Sequence, residues 1–212
     1  MNALLFEYLP SILSLSGLIM ISIISPGPDF AVIVRNSLIY SRKTALLTAL
    51  GISLGVLVHV TYSLCGLGII IRESEWLFTG IKYLGAGYLL YIGYKGLRAK
   101  KENVELSEMK HIRDISALSA LWSGFLTNAL NPKCILFFIS LFSIFISPDT
   151  PIQILSLYGF IIFVETLLWF SFVAFCLSGK KTREKFNAMG HWIERGTGGV
   201  LMGLGAKLIF SV

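Results

Sequence analysis

"SIISPGPDFAVIVRNS" (Ser22–Ser37) is an apolar run that stops at two prolines around a glycine, takes one aspartate and turns apolar again. In a solvated loop such a break costs little. Inside a bilayer every backbone group it frees must find a partner, so a helix is interrupted at membrane depth only where protein or a water-lined cavity receives the exposed ends. Pro26 and Pro28 remove two backbone donors, Gly27 permits a tight bend, and Asp29 is suited to cap the helix that follows. That helix would present free amides and a partial positive charge to the cavity, an end that binds carboxylates. The plainer reading is a turn at the end of a first span, since residues 4–25 are already long enough to cross.

A second interruption favours the buried reading. "NALNPKCILFF" (Asn128–Phe138) places Asn131, Pro132 and Lys133 between two apolar runs, neither long enough to span comfortably. A proline kink would explain Pro132 but not a lysine at a depth where charge is costly.

Composition agrees with a bilayer environment. The 212 residues are 55% hydrophobic and 14% charged, against about 25% charged in soluble domains, and the mean hydropathy is +0.75. The net charge of +6 falls in short basic clusters between apolar segments, which fits membrane orientation and not nucleic-acid binding. Cys65, Cys134 and Cys176 lie in apolar stretches without paired spacing and read as small core residues. No cleavable signal peptide is expected, because the N-terminus lacks a basic region ahead of its apolar run.

Six spans are predicted, at about 4–25, 44–71, 76–97, 116–146 (interrupted), 152–178 and 194–211. Basic residues alternate between the connections. Arg35, Arg42 and Lys43 lie between the first two spans, Arg98, Lys100, Lys101, Lys110 and Arg113 between the third and fourth, and Lys180, Lys181, Arg183 and Lys185 between the last two. The opposite side has only Arg72, with none in 147–151. The positive-inside bias then puts both termini outside and the basic loops in the cytoplasm.

The halves also echo one another. Pro26 and Pro132 stand 106 residues apart, and Trp76, Gly80 and Gly87 match Trp192, Gly196 and Gly203 at a constant offset of 116. Three spans per half would give the halves opposite topology, a transporter architecture. The predicted fold is therefore all-α: a polytopic membrane protein of six transmembrane helices, arranged as two inverted three-helix repeats with broken helices 1 and 4. One domain covers 1–212, with repeat 1 at about 4–98, a cytoplasmic connector at about 99–114 and repeat 2 at about 115–211. Gly196, Gly199 and Gly203 read as close-packing positions and leave room for a homo-oligomer.

"SPGPDF", followed by "RNSLIYSRKTALLTALGISLG" and later by "GFLTNALNPKCILFF", resembles the lysine exporter (LysE/RhtB) family of bacterial amino-acid efflux proteins, which includes threonine and homoserine exporters. The resemblance runs through essentially the whole chain. It implies six spans, efflux across the bacterial cytoplasmic (inner) membrane and proton coupling.

Two intramembrane polar residues are candidates for that coupling. Glu165 lies near the middle of the fifth span, where an ionisable residue marks function by default. His59 continues the seam Gly51, Gly55, His59 of the second span, which should face another helix. At the 106-residue offset His59 corresponds to Glu165, so the two are expected around one cavity. The plain alternatives are a hydrogen-bonded core histidine and a neutral, bonded carboxylic acid.

The expected activity is secondary active export of an amino acid or close derivative across the cytoplasmic membrane by proton antiport. The substrate carboxylate would sit at Pro26, Gly27, Pro28, Asp29 and Phe30, its ammonium near Asp29, Asn131 or Glu165, with Asn131, Pro132 and Lys133 completing the site. Lys133 would pair with Asp29 when the carrier is empty. The alternatives are a divalent-cation exporter, which would want more intramembrane acids than Asp29 and Glu165, and an intramembrane enzyme, for which His59, His111 and His191 form no catalytic or metal-binding pattern. The expected partners are the amino acid, protons and lipid, with no cofactor, no metal and no nucleic acid.

Overall fold

The computed structural model describes residues 2–100, 114–147, 149–176 and 180–210, with the backbone alone at 2–5, 65–73, 75, 78 and 180–188. Most of the connector expected at 99–114, with Lys101, Lys110, His111 and Arg113, lies outside the described residues, as does the side chain of Cys65. All regular structure among the described residues is helical: α1 (Asn2–Ile24), α2 (Pro28–Ile39), α3 (Arg42–Glu73), α4 (Glu75–Leu97), α5 (Ala117–Ala129), α6 (Pro132–Phe145), α7 (Ile152–Cys176) and α8 (Lys180–Phe210).

The helix boundaries follow from local chemistry. A residue ahead of proline is pushed out of the helical region, so α1 stops before Pro26, and α2 starts with Pro28 in its first turn after the extended Gly27. Ser74 and Ser116 cap α4 and α5, their hydroxyls accepting from the Leu77 and Ser119 amides at 3.4 and 3.1 Å. Asn131 caps α6 in the same way, its Oδ1 accepting from the Lys133 amide at 3.0 Å.

Among the described residues three helices are long and apolar enough to cross a membrane, at Phe6–Ile24, Arg42–Leu64 and Ile152–Cys176; α5 and α6, bent by 56° at their break, make a fourth if taken as one span. The helices α4 and α8 cover the other two stretches expected to span. The last of these starts earlier than expected: α8 begins at Lys180, so the basic stretch 180–185 is helical instead of a loop. In α1 and α2 the interruption falls after a helix of 23 residues and before one of 12, whereas α5 and α6 are nearly equal at 13 and 14.

Glycine contacts set how the helices pack. A Cβ on Gly51 or Gly55 of α3 would run into the Leu121 or Phe125 carbonyl of α5, and one on Gly124 of α5 would meet the Thr48 carbonyl of α3. The Gly51–Gly55 seam therefore faces α5 at backbone contact. Gly51→Val should overpack this contact by about 1–3 kcal/mol and lower the melting temperature of the detergent-purified protein, whereas Gly80→Val should not.

The second close pair is α4 with α8. Here Gly93 and Gly96 meet Gly198, and Gly205 meets the Ala86 carbonyl. The glycines expected to pack, Gly196, Gly199 and Gly203, do not make this contact. A Cβ on Gly196 or Gly203 meets nothing within 4 Å, and one on Gly199 meets only the Leu97 side chain at 3.9 Å. They share the outer face with Trp192, which is 64% exposed, as Gly80 and Gly87 do with Trp76 on α4. The reason is helical phase: Gly198 and Gly205 lie on the opposite side of α8 from Gly196 and Gly203.

The apolar core has two parts. The larger joins α1, α3, α4, α6, α7 and α8 around Phe138, Leu141, Phe142 and Tyr158. The smaller joins α2, α3 and α7 around Phe30, Ile33, Ile52 and Phe170. The candidate site lies between them.

Candidate functional site

The two interruptions meet. Asp29, on the first turn of α2, accepts through Oδ2 from Asn128 Nδ2 at 3.0 Å and Asn131 Nδ2 at 3.3 Å, and the Cys134 thiol donates to the same oxygen at 3.5 Å. One carboxylate oxygen thus draws together the last turn of α5, the break and the first turn of α6. Its other oxygen, Oδ1, is buried without a protein partner, an arrangement that leaves a carboxylate acceptor available inside the fold.

Lys133 faces the same break from α6. Its ammonium donates to Ser25 Oγ at 3.2 Å and closes no ion pair with Asp29 among the described residues, contrary to the pairing expected for the empty carrier. The reason is reach: Lys133 extends past Gly27 toward the end of α1 (a Cβ on Gly27 would lie 3.6 Å from Nζ), while the two asparagines and the thiol occupy the side of Asp29 turned toward α6.

Both halves of the break are held from behind by α3. His59 is fully buried. Its Nε2 lies 2.8 Å from the Asn128 carbonyl oxygen; a carbonyl only accepts, so Nε2 carries the proton. The Tyr62 hydroxyl donates to the Ile135 carbonyl of α6 at 3.2 Å and lies 3.0 Å from His59 Nδ1. Phe138 stacks on the imidazole at 5.6 Å between centroids. These contacts tie α5 and α6 to one helix.

At the opposite end, Asp114 Oδ1 accepts from the Ser41 amide at 2.7 Å and from the Thr44 hydroxyl at 3.2 Å. The Ser41–Asp114 and Asp29–Asn128 contacts show that α2 and α5 run antiparallel over the same stretch. Twelve helical residues at 1.5 Å each make that stretch roughly 18 Å.

A cavity of about 30 Å³ opens beside Asp29, lined among others by Gly27, Phe30, Asn131, Lys133, Cys134 and Thr166. That volume holds about two waters. Of the eight residues expected at the binding site, Gly27, Asp29, Phe30, Asn131 and Lys133 line this cavity, and Pro26 lines a neighbouring one. Pro28 and Pro132 line neither and begin their helices. Asn128 and Cys134 join the cluster although the sequence reading gave neither a role there.

Neither His59 nor Glu165 lines either of the two cavities that the described residues form around the break. His59 sits one hydrogen bond behind Asp29, through Asn128. Glu165 faces α1, where Oε1 accepts from the Ser16 hydroxyl while Oε2 is buried without a partner. It is Thr166, the next residue on α7, that lines the cavity.

The LysE type translocator model matches residues 20–212. A threonine efflux protein of Escherichia coli (strain K12) is 36% identical over 195 residues, covering 90% of this chain and 93% of that protein. One of Salmonella typhi is 35% identical over 194 residues, with the same coverage. An uncharacterized membrane protein of Bacillus subtilis (strain 168), YrhP, is 32% identical over 193 residues, 87% of this chain and 91% of that one. No solved structure matches the chain. With its long apolar helices and these bacterial relatives, the protein is a multi-pass bacterial membrane protein, and it belongs to the LysE type translocator family.

Proposed function

We propose that the protein exports L-threonine, or a small neutral amino acid close to it, across the cytoplasmic membrane in exchange for protons. The observation that carries this is the meeting of two interrupted helices around Asp29, Asn128, Asn131 and Lys133. The threonine efflux relatives supply the substrate class. In this reading the substrate ammonium takes the unpartnered Asp29 Oδ1. Its carboxylate takes the Lys133 ammonium, released from Ser25, together with the first-turn amides of α2.

Six spans in two inverted repeats, with both termini outside, complete the reading. Chain order supports the repeat: a long helix, a short helix after a proline break and two long helices (α1–α4) are followed by α5–α8 with the break in the corresponding place. The 18 Å run of α2 and α5 would set Asp29 near the bilayer midplane if Ser41 and Asp114 mark the cytoplasmic surface. A cavity of 30 Å³ is far below the roughly 300 Å³ or more of a small-molecule site, so the described arrangement is a closed one that loading must widen.

An inward proton gains about 2.3 kcal/mol per 100 mV of membrane potential, so exchange of one proton for one zwitterion is driven without ATP. Glu165 is the proposed proton carrier, because one of its oxygens is buried without a partner, while His59 donates through Nε2 to the Asn128 carbonyl and so helps hold the break. His59→Leu would remove the hydrogen bond from Nε2 to the Asn128 carbonyl, which keeps the Asn131 amide as a donor, a cost of about 0.5–1.5 kcal/mol. It should lower thermal stability and maximal export while the remaining export keeps its pH dependence; loss of that dependence would transfer the proton role to His59. The function as a whole is tested in proteoliposomes. A pH gradient should drive concentrative L-threonine transport, and a gradient that moves no threonine, serine or homoserine would exclude the proposed activity.

A further inference from the structure

A second cavity adjoins the first and is about ten times larger, near 310 Å³ against 30 Å³. Its walls come from α4 and α8, including Tyr88, Tyr91, Lys95, Glu194 and Thr197. Ser25 and Lys133 line both cavities. The Lys133–Ser25 hydrogen bond of 3.2 Å is therefore part of the wall that separates them.

The chemistry of the larger cavity is of mixed sign. Lys95 and Lys133 supply two ammonium groups, Glu194 a carboxylate, and Tyr88, Tyr91 and Thr197 hydroxyls. The Lys95 ammonium stands over the Tyr91 ring at 5.9 Å, a placement that orders the long side chain at the cavity wall. A simple anion would meet Glu194 and a simple cation the two lysines. A zwitterion satisfies both signs at once. The cavity also lies at the basic end of α4, where Arg98 and Lys100 follow, the end that an exporter would expose to the cytoplasm.

We propose that this cavity is an outer loading subsite for the zwitterionic head of an α-amino acid, and that Lys133, moving from Ser25 onto the substrate carboxylate, admits it to the inner site at Asp29. Glu194 takes the ammonium and Lys95 the carboxylate while the inner wall is closed. The closed inner cavity is then no obstacle, because the solute is first held outside it and the lysine that blocks the way is also the group that receives it. This rests on the export reading above.

The test is the concentration dependence of L-threonine uptake into inside-out vesicles from cells expressing the full chain, with each variant's membrane content measured. Glu194→Gln and Lys95→Gln should each raise the KM for threonine about five- to tenfold and change the maximal rate less than twofold. Lys207→Gln, outside both cavities, should match the wild type. Unchanged KM in both cavity variants would overturn the subsite, as would a loss confined to the maximal rate or to the amount of protein, which marks a structural role.

The head group of phosphatidylethanolamine shares the ammonium and anion chemistry, so the wild type is also compared in vesicles with and without that lipid. An unchanged KM supports the amino-acid subsite, and a KM that follows the lipid content overturns it. Wild-type vesicles that move no amino acid would remove the export reading and the subsite with it. Export with unaltered variant kinetics removes the subsite alone.

Discussion

Asp29→Asn is expected to leave the protein folded and inserted while lowering L-threonine export by about 100-fold or more. The asparagine keeps the shape of the side chain, and its Oδ1 can still accept from the Asn128 and Asn131 amides that now converge on Asp29 Oδ2. What it loses is the charge offered to the substrate ammonium at the unpartnered Oδ1. Truncating one member of a buried charge pair costs about 2–5 kcal/mol, and each 1.4 kcal/mol is a factor of ten. Asp29→Ala should be worse in a second respect. It strands two buried amide donors, at about 1–3 kcal/mol each, and should lower thermal stability as well. Export by Asp29→Asn within threefold of wild type, at equal membrane content, would place the ammonium site elsewhere.

Glu165→Gln is expected to separate transport from its driving force. In proteoliposomes the wild type should accumulate threonine when a pH gradient is imposed. The variant should retain exchange of internal for external threonine, because the cavity lining beside it is carried by Thr166 and not by residue 165, but it should lose the response to the gradient. Glutamine still accepts from the Ser16 hydroxyl that bonds Glu165, so α1 and α7 remain joined. Concentrative, gradient-dependent transport by Glu165→Gln would assign the proton to another group.

The broken helices were legible because their signals are chemical and local. Proline removes a donor and fixes a backbone angle wherever it stands, and Asn131 ahead of Pro132 is a cap followed by a first-turn proline. Side-chain direction across the break was not legible. Asn128 and Cys134 flank the interruption on two helices bent by 56°, so no helical periodicity places them on a common face, and only the tertiary bend turns both onto Asp29. The tryptophan and glycine echoes between Trp76 and Trp192 were visible at constant offset, yet periodicity alone did not say which face of α8 would pack. The close contacts use Gly198 and Gly205 instead. His59 and Glu165 meet different neighbours for a similar reason. The seam through Gly51 and Gly55 turns His59 toward α5, while residue 165 on α7 turns toward α1.

The most direct test uses the thiol already beside Asp29. Cys134 is free and 3.5 Å from the carboxylate, so a small methanethiosulfonate reagent reports on the site, with Cys176 as an internal control and mass spectrometry as the readout. Saturating L-threonine should slow modification of Cys134 several-fold and leave Cys176 unchanged. Modification of Cys134 at the same rate with and without threonine, in protein that transports it, would mean that the cargo is not held where the two broken helices meet.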